Sequence, residues 1–520
     1  MSQTVNKIPP SPATGGDSLR NKIGLPLALA IFIIVGFLLP QPEGLPVAGQ
    51  RMLGLLLFSV VLWATEGVSY PVSAAIIVSL MTLSVGLSPN VDKPEVMFGM
   101  GPGLTMALGG FSNTAWALVA VALFLAVAMQ KTGFDKRLAL NILNLVGSKT
   151  KNVVIGVILV GFVLAFFVPS TTARVACIVP IIMGIIAAFG VDTRSKFAGL
   201  LMITCAQADS IWNVGIKTAA AQNMIAVNFI KQIMGVEISW IDWFVAAAPY
   251  AVLMSVALYF VMMKVMPPEV KEFPGGAEVI KKQLRELGPM SRDEKKLMIA
   301  SICLLAFWVL EGKTFGMFGI SGDMGAQRIH PFDTASITVI VVSILLIPRI
   351  GIMKWSDCVP KINWGTIILF GVGISLGTAI IRTQAGTWLA QNLVGTFGLA
   401  SASPLMLLAI LAAFLIVIHM GFASATALAS ALIPIIISVL QEVNGAQGGI
   451  LNVLGMTMIL QYVVSFGFIL PVNAPQNMIA YGTNTFSVSD FVKTGIPLTI
   501  IAYLLIMVLG ATYWKFLGYV

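Results

Sequence analysis

Charge is what this chain is short of. Only 10% of its 520 residues are Asp, Glu, Lys or Arg, whereas a soluble domain devotes about a quarter to its water-facing skin. That deficit excludes a water-soluble globule. Cysteine and histidine are scarce as well, at four and two residues. Cys177, Cys205, Cys303 and Cys358 lie in or beside apolar runs, without CxxC or Cys/His spacing. They read as small buried hydrophobes, not as a zinc module or disulfide framework. No ATP-binding motif is present, so any work the chain performs must draw on a gradient. HExxH and a nucleophile elbow are both missing, and nothing else supports casting Ser424 and His419 as nucleophile and base. Neither an enzyme, a cofactor nor a resident metal is expected.

What is present is apolar. Hydrophobic residues make up 58% of the chain, and the mean hydropathy is +0.93. The bilayer must be the solvent for most of the chain, and there the backbone must satisfy its own hydrogen bonds. Spans of about twenty residues point to helices rather than a barrel. Apolar runs begin near residues 24, 52, 71, 115, 153, 197, 243, 296, 334, 365, 405, 452 and 495. The runs 153–190 and 405–440 are each interrupted by a short polar cluster, Ser170-Thr171-Thr172 and Ser424-Ala425-Thr426. Each reads as a hairpin that enters the membrane and turns back. The expected fold is therefore an all-α polytopic membrane protein with about eleven transmembrane helices plus two re-entrant hairpins.

The charges test this layout. With the polar tail 1–23 in the cytoplasm, the predicted cytoplasmic segments are that tail, 131–151, 193–196, 264–296, 349–361 and Lys493. Together they hold 22 of the 31 Lys and Arg residues, as the positive-inside rule requires. Only Arg174 and Lys217 fall at membrane depth. The formal net charge of +9 is thus a topology signal, not a nucleic-acid footprint. The first apolar run is too long for a secretory h-region, and no Arg/Ser-rich transit peptide precedes it. A multi-pass inner (plasma) membrane protein with a cytoplasmic N-terminus is expected.

The chain also repeats itself. Ser170-Thr171-Thr172-Ala173 and Pro180 recur as Ser424-Ala425-Thr426-Ala427 and Pro434, 254 residues later. Gln222-Asn223-Met224-Ile225-Ala226 recurs as Gln476-Asn477-Met478-Ile479-Ala480 at the same 254-residue offset. Trp63 with Glu66-Gly67 echoes Trp308 with Glu311-Gly312, and Asp242 with Pro249 parallels Asp490 with Pro497. The expected organisation is 24–51 as the first helix and its connection, 52–266 as one repeat, 267–294 as a cytoplasmic linker and 295–520 as the second repeat. Each repeat holds an odd number of crossings, so the second sits upside down. Inverted repeats with helices interrupted at matching places point to a carrier whose site lies at the repeat interface.

A hairpin tip inside a membrane leaves N–H groups unpaired at the start of its second helix. With the positive end of the helix dipole, they form an anion site. Ser and Thr hydroxyls add donors without the cost of a buried charge. Ser170, Thr171, Thr172, Ser424, Ala425 and Thr426 are therefore candidate ligands, against ordinary capping as the alternative. A second break surrounds Asn223 and Asn477, flanked by Thr218 and by Asn473-Ala474-Pro475. Pro475 lacks a donor, so the helix there unwinds, and freed carbonyls and Asn amides can hold a cation or a substrate oxygen.

These tips, the stretch from His419 to Ala427 and the closing Pro471-Val472-Asn473-Ala474-Pro475-Gln476-Asn477 resemble the divalent anion/sodium symporter family, over roughly residues 24–517. The resemblance implies a homodimer whose transport part moves like an elevator, carrying small carboxylate anions such as succinate, malate, 2-oxoglutarate or citrate, or else tartrate or sulfate. Sodium-coupled members carry Ser-Asn-Thr at both tips, whereas Thr171 and Ala425 stand in the middle here. Ser112-Asn113-Thr114 precedes a span and reads as a helix cap. Arg174 and His419 sit where coupling cations are expected. A fixed guanidinium offsetting substrate charge would suit an exchanger, resembling the citrate/succinate and 2-oxoglutarate/malate antiporters. His419 is either a core histidine or a proton-coupling group. The alternative is a sodium-coupled dicarboxylate or sulfate symporter with Na+ near Asn223 and Asn477. Lys217 faces substrate or cytoplasm, with Asp209 as its partner or as a coupling carboxylate.

Overall fold

The computed structural model describes residues 19–147, 149–270, 272, 276–311, 320–321, 327–328 and 330–520. Most of the expected cytoplasmic tail, Lys313 and the Gly312 echo lie outside the described residues. The first half runs α1 (Leu19–Ile33, continued by a π-helical turn Ile34–Leu38), α2 (Val47–Thr65), α3 (Tyr70–Gly86), α4 (Met100–Leu108), α5 (Thr114–Thr132) and α6 (Phe134–Val146). There follow α7 (Thr150–Phe167), α8 (Thr171–Ala188), α9 (Lys196–Gly215), α10 (Ala221–Met234) and α11 (Trp240–Val265). After α12 (Gly276–Glu286) the second half runs α13 (Arg292–Val309), α14 (Thr334–Leu346), α15 (Trp355–Cys358), α16 (Trp364–Arg382) and α17 (Ala385–Phe397). It closes with α18 (Pro404–His419), α19 (Ala425–Ala446), α20 (Val453–Val464), α21 (Pro475–Tyr481), α22 (Val488–Ala511) and α23 (Tyr513–Phe516). Ile320–Ser321 and Gln327–Arg328 form the only strands among the described residues.

Among the described residues, eight helices are long and apolar enough to cross a bilayer, and five shorter apolar helices accompany them. Both arms of the first hairpin, α7 and α8, belong to the long set. Length alone therefore does not separate a hairpin from two crossings. The first helix already includes Leu19 and the polar Arg20-Asn21-Lys22 stretch, ahead of the expected residue 24.

Both hairpins turn on the same local chemistry. Ser170 caps α8 by accepting from the Ala173 N–H at 3.3 Å, and Ser424 caps α19 by accepting from the Ala427 N–H at 3.3 Å. The cap backbones match too, with φ/ψ of −149°/110° at Ser170 and −144°/117° at Ser424. An extended residue with a side-chain acceptor is how a helix start satisfies an orphan donor. The helix breaks match equally well. Single-turn helices Lys217–Ala219 and Pro471–Asn473 are followed by extended Ala220 and Ala474, with φ/ψ of −148°/144° and −151°/141°.

The halves interlock. Helix α10 of the first packs on α19 of the second, while α21 of the second packs on α8 and α9 of the first. This exchange brings the two tips to one place. Gly495 of α22 is pressed so closely to the Phe468 carbonyl that a β-carbon there would collide with it.

The segments expected to be cytoplasmic converge on one face. Lys131 pairs with Asp357 at 3.1 Å and Arg137 with Glu294 at 2.8 Å. Lys296 donates to the Ile350 carbonyl at 2.8 Å, and the Lys196 and Phe197 N–H groups donate to Glu269 at 2.9 and 3.1 Å. The connection 267–294 is more than a tether. Its helix α12 buries Ile280 and packs on α6 and the hairpin arm α8.

Candidate functional site

Between the tips lies a cavity of about 260 Å³ lined by Ser170, Thr171, Thr172, Ser424, Ala425 and Thr426. Both tips thus meet one space, as their repetition implied. Thr218 and His419 line it too. Among the described residues no Asp or Glu does, and only two lining side chains can carry positive charge, Lys361 and His419. Ser170 and Ser424 accept from the N–H groups of their own helices, and Thr171 donates to Asn213 Oδ1 at 2.8 Å. The hydroxyls of Thr172 and Thr426, 254 residues apart, have no partner among the described residues. Two helix N-termini and two hydroxyls, with no carboxylate opposing them among the described residues, have the chemistry that can hold an anion.

The other candidates build the walls. Asn223 is fully buried and donates to the carbonyls of Asn213, Ile216 and Lys217 at 2.7, 3.2 and 3.4 Å. Asn477, its counterpart, donates to the Gly467 carbonyl at 2.8 Å. Asn213 and Gly467 are again 254 residues apart, so each amide staples its own unwound stretch at an equivalent carbonyl. Neither side chain reaches the cavity. Asn473 likewise points away, donating to the carbonyls of His419, Met420 and Phe422 at 3.0, 3.2 and 3.1 Å.

Arg174 departs from expectation. It is fully buried, does not line the cavity and is neutralised by Asp209, with Nε at 2.7 Å from Oδ1. Its Nη1 donates to the Val168 carbonyl at 2.8 Å and the Ala219 carbonyl at 3.1 Å, and Nη2 to Asn213 Oδ1 at 2.7 Å. Val168 precedes the first tip and Ala219 lies in the first break, so the guanidinium ties tip to break. Phe422 and Asn473 are the equivalents of these two residues, and there the Asn473 amide makes the tie. A buried Arg without a carboxylate would be prohibitive, which is why Asp209 accompanies it. Asp209 is therefore not the partner of Lys217.

Lys217 is buried beside the break but turned from the cavity. It donates to the Ile238 carbonyl at 2.7 Å and lies 3.5 Å from Glu311, whose other bonds go to Thr334 at the start of α14. His419 reaches the Asn473 carbonyl through Nε2 at 3.4 Å, while its buried Nδ1 has no partner among the described residues. Asn113 caps α5 by accepting from Ala115 N–H at 2.8 Å, as expected of a cap.

Sequence reasoning missed Asn213, Gln222, Ser465 and Gln476, all lining residues. Gln222 donates to Ser465 at 3.2 Å and Gln476 to Ser210 at 3.0 Å, each crossing to the opposite broken helix. Both glutamines stood in the repeated motif. Adjacent helical residues point about 100° apart, so either the Gln or the Asn faces the cavity, and the pattern alone did not say which.

The chain is similar to known membrane proteins along most of its length. A "membrane protein" of Cupriavidus necator is 51% identical over 497 residues, covering 96% of this chain and 93% of that one. The "sodium-dependent dicarboxylate transporter SdcS" of Staphylococcus saprophyticus is 26% identical, covering 93% of this chain and 90% of its own. The solved YdaH transporter of Alcanivorax borkumensis shares the fold, with a TM-score of 0.53 at 13% identity over 85% of this chain and 98% of that one. The family description "Sodium:sulfate symporter transmembrane region" matches residues 20–520. The chain therefore belongs to that family, the divalent anion/sodium symporters.

Proposed function

We propose that the protein is a secondary carrier for di- and tricarboxylate anions of the succinate, malate, 2-oxoglutarate and citrate type, working as an exchanger. The observation that carries this reading is the pair of equivalent tips, Thr172 and Thr426 with their helix N-termini, facing one cavity free of carboxylates. A dianion presents two negative ends, and the site presents two donors sets of opposite origin. The relative's name supports a dicarboxylate. Exchange is favoured by the stitching of both tips. The Val168, Ala219 and Phe422 carbonyls, which a coupling cation could use, already accept from Arg174 and Asn473. A guanidinium cannot dissociate as sodium does. Arg174 thus serves by replacing an exchangeable cation in the scaffold of the tip, not by neutralising substrate. With no coupled cation, a counter-anion supplies the drive.

The hairpins, broken helices, α11 and α22 form the moving part of an elevator in a homodimer embedded in the inner membrane, their inverted relation giving the two access states. The basic face is cytoplasmic by the positive-inside rule, so the cavity opens inward. Counterflow in proteoliposomes is the test. Uptake of labelled succinate should require an internal dicarboxylate and proceed equally in sodium-free buffer; uptake that needs a sodium gradient and no internal anion overturns the exchanger reading. One observation favours the sodium-coupled alternative. Asn477 Oδ1 and Gln207 Oε1 are buried acceptors without donors among the described residues, and their amide nitrogens flank the same Gly467–Phe468 stretch.

A further inference from the structure

The cavity's one permanent charge is not at the tips. Lys361 is exposed, whereas Thr171, Ser424 and Thr426 are 9%, 7% and 8% exposed. The lysine therefore stands at the mouth and the hydroxyls at the floor. No carboxylate pairs with Lys361 among the described residues. Its neighbours at the rim, Gln130 and Asn363, are neutral. The nearby acid, Asp357, is occupied by Lys131 at 3.1 Å.

The segment that presents Lys361 is held in place. Trp355 stacks on Phe124 with ring centroids 5.2 Å apart, and Cys358 is fully buried. The Trp364 indole N–H donates to the Val359 carbonyl at 3.1 Å. An exposed lysine is ordinarily one solvated charge among many. This one is anchored over the opening of an apolar-walled cleft, where low-dielectric walls focus its field along the path to the floor.

We propose that Lys361 is the anion-steering residue of this carrier, selecting multiply charged carboxylates as they enter from the basic face. The inference rests on the anion-carrier reading above. Lys361 lies on the connection leading into α16, outside the hairpins and broken helices. It therefore acts on anions arriving from its own side and not on those loaded from the other. Its contribution is to capture and not to the crossing step, so it sets KM while kcat stays.

The test compares wild type, Lys361→Gln and Lys361→Arg, with labelled succinate loaded from either face in inside-out and right-side-out vesicles. From the basic face, Lys361→Gln should raise KM roughly fivefold at low ionic strength, with kcat unchanged. The dependence of KM on salt should flatten, and Lys361→Arg should restore both. From the opposite face KM should not move. An unchanged KM and salt slope in Lys361→Gln overturns the proposal, as does an equal loss from both faces, which marks a structural role. A wild type that exchanges no dicarboxylate overturns the function reading itself, a separate outcome.

Discussion

Thr172 and Thr426 line the cavity with hydroxyls that have no partner among the described residues, so each is free to donate to a bound carboxylate. A hydrogen bond to a charged group is worth about 1.5–3 kcal/mol. Thr172→Ala and Thr426→Ala are each expected to raise KM for succinate at least about tenfold, measured by initial-rate uptake, with thermal stability little changed. Arg174 should behave differently. Removing one partner of a buried ion pair costs about 3–5 kcal/mol, so Arg174→Leu should lower the melting temperature in detergent sharply. The second half carries Leu428 and Val463 at the positions equivalent to Arg174 and Asp209. Adding Asp209→Val to Arg174→Leu is expected to recover much of the lost stability, since no lone charge then remains. A double variant less stable than the single one would contradict the pairing account.

At the level of elements, the start of α9 is held by a residue from a connection. Glu269 accepts from the Lys196 and Phe197 N–H groups. Partial burial works to raise its pKa, but the N–H groups and the Lys196 charge outweigh it and hold the carboxyl below its ordinary value. A depressed folded pKa means that the stabilisation is complete above the ordinary Glu range. It is lost as pH falls through the lower, folded value. Glu269→Gln should therefore cost about 0.3–1 kcal/mol at pH 7, and the difference from wild type should vanish towards pH 3 in detergent melts. A gap that persists in acid would mean the carboxylate charge is not what holds the helix start. Such caps were only partly legible. Asn113 announces its helix from three residues of sequence, whereas Glu269 is 73 residues from Lys196 and gave no local sign.

For the whole molecule, an elevator requires α10 to slide past α16. Gln232 and Thr378 of these helices touch at 3.1 Å and are accessible. Gln232→Cys with Thr378→Cys, joined by a short bifunctional thiol reagent, is expected to arrest exchange while either single variant transports normally. Full activity in the cross-linked protein would rule out relative movement of these parts.

Several features needed no structure. The shortage of charge named the bilayer as solvent, because a chain cannot cover a wet surface with side chains it does not have. The recurrence at 254 residues located both tips and both breaks, because a polar interruption of an apolar run is a one-dimensional signal. Which side chains turn inward was settled by tertiary packing alone. Arg174 was expected beside substrate and Lys217 toward either substrate or cytoplasm, yet each found a carboxylate elsewhere in the chain, Asp209 on α9 and Glu311 just after α13. The rotation of a helix about its axis, and the neighbour it then meets, depend on every other helix in the bundle. Spacing along the chain fixes where a helix breaks, and only the assembled interior decides what each broken end holds.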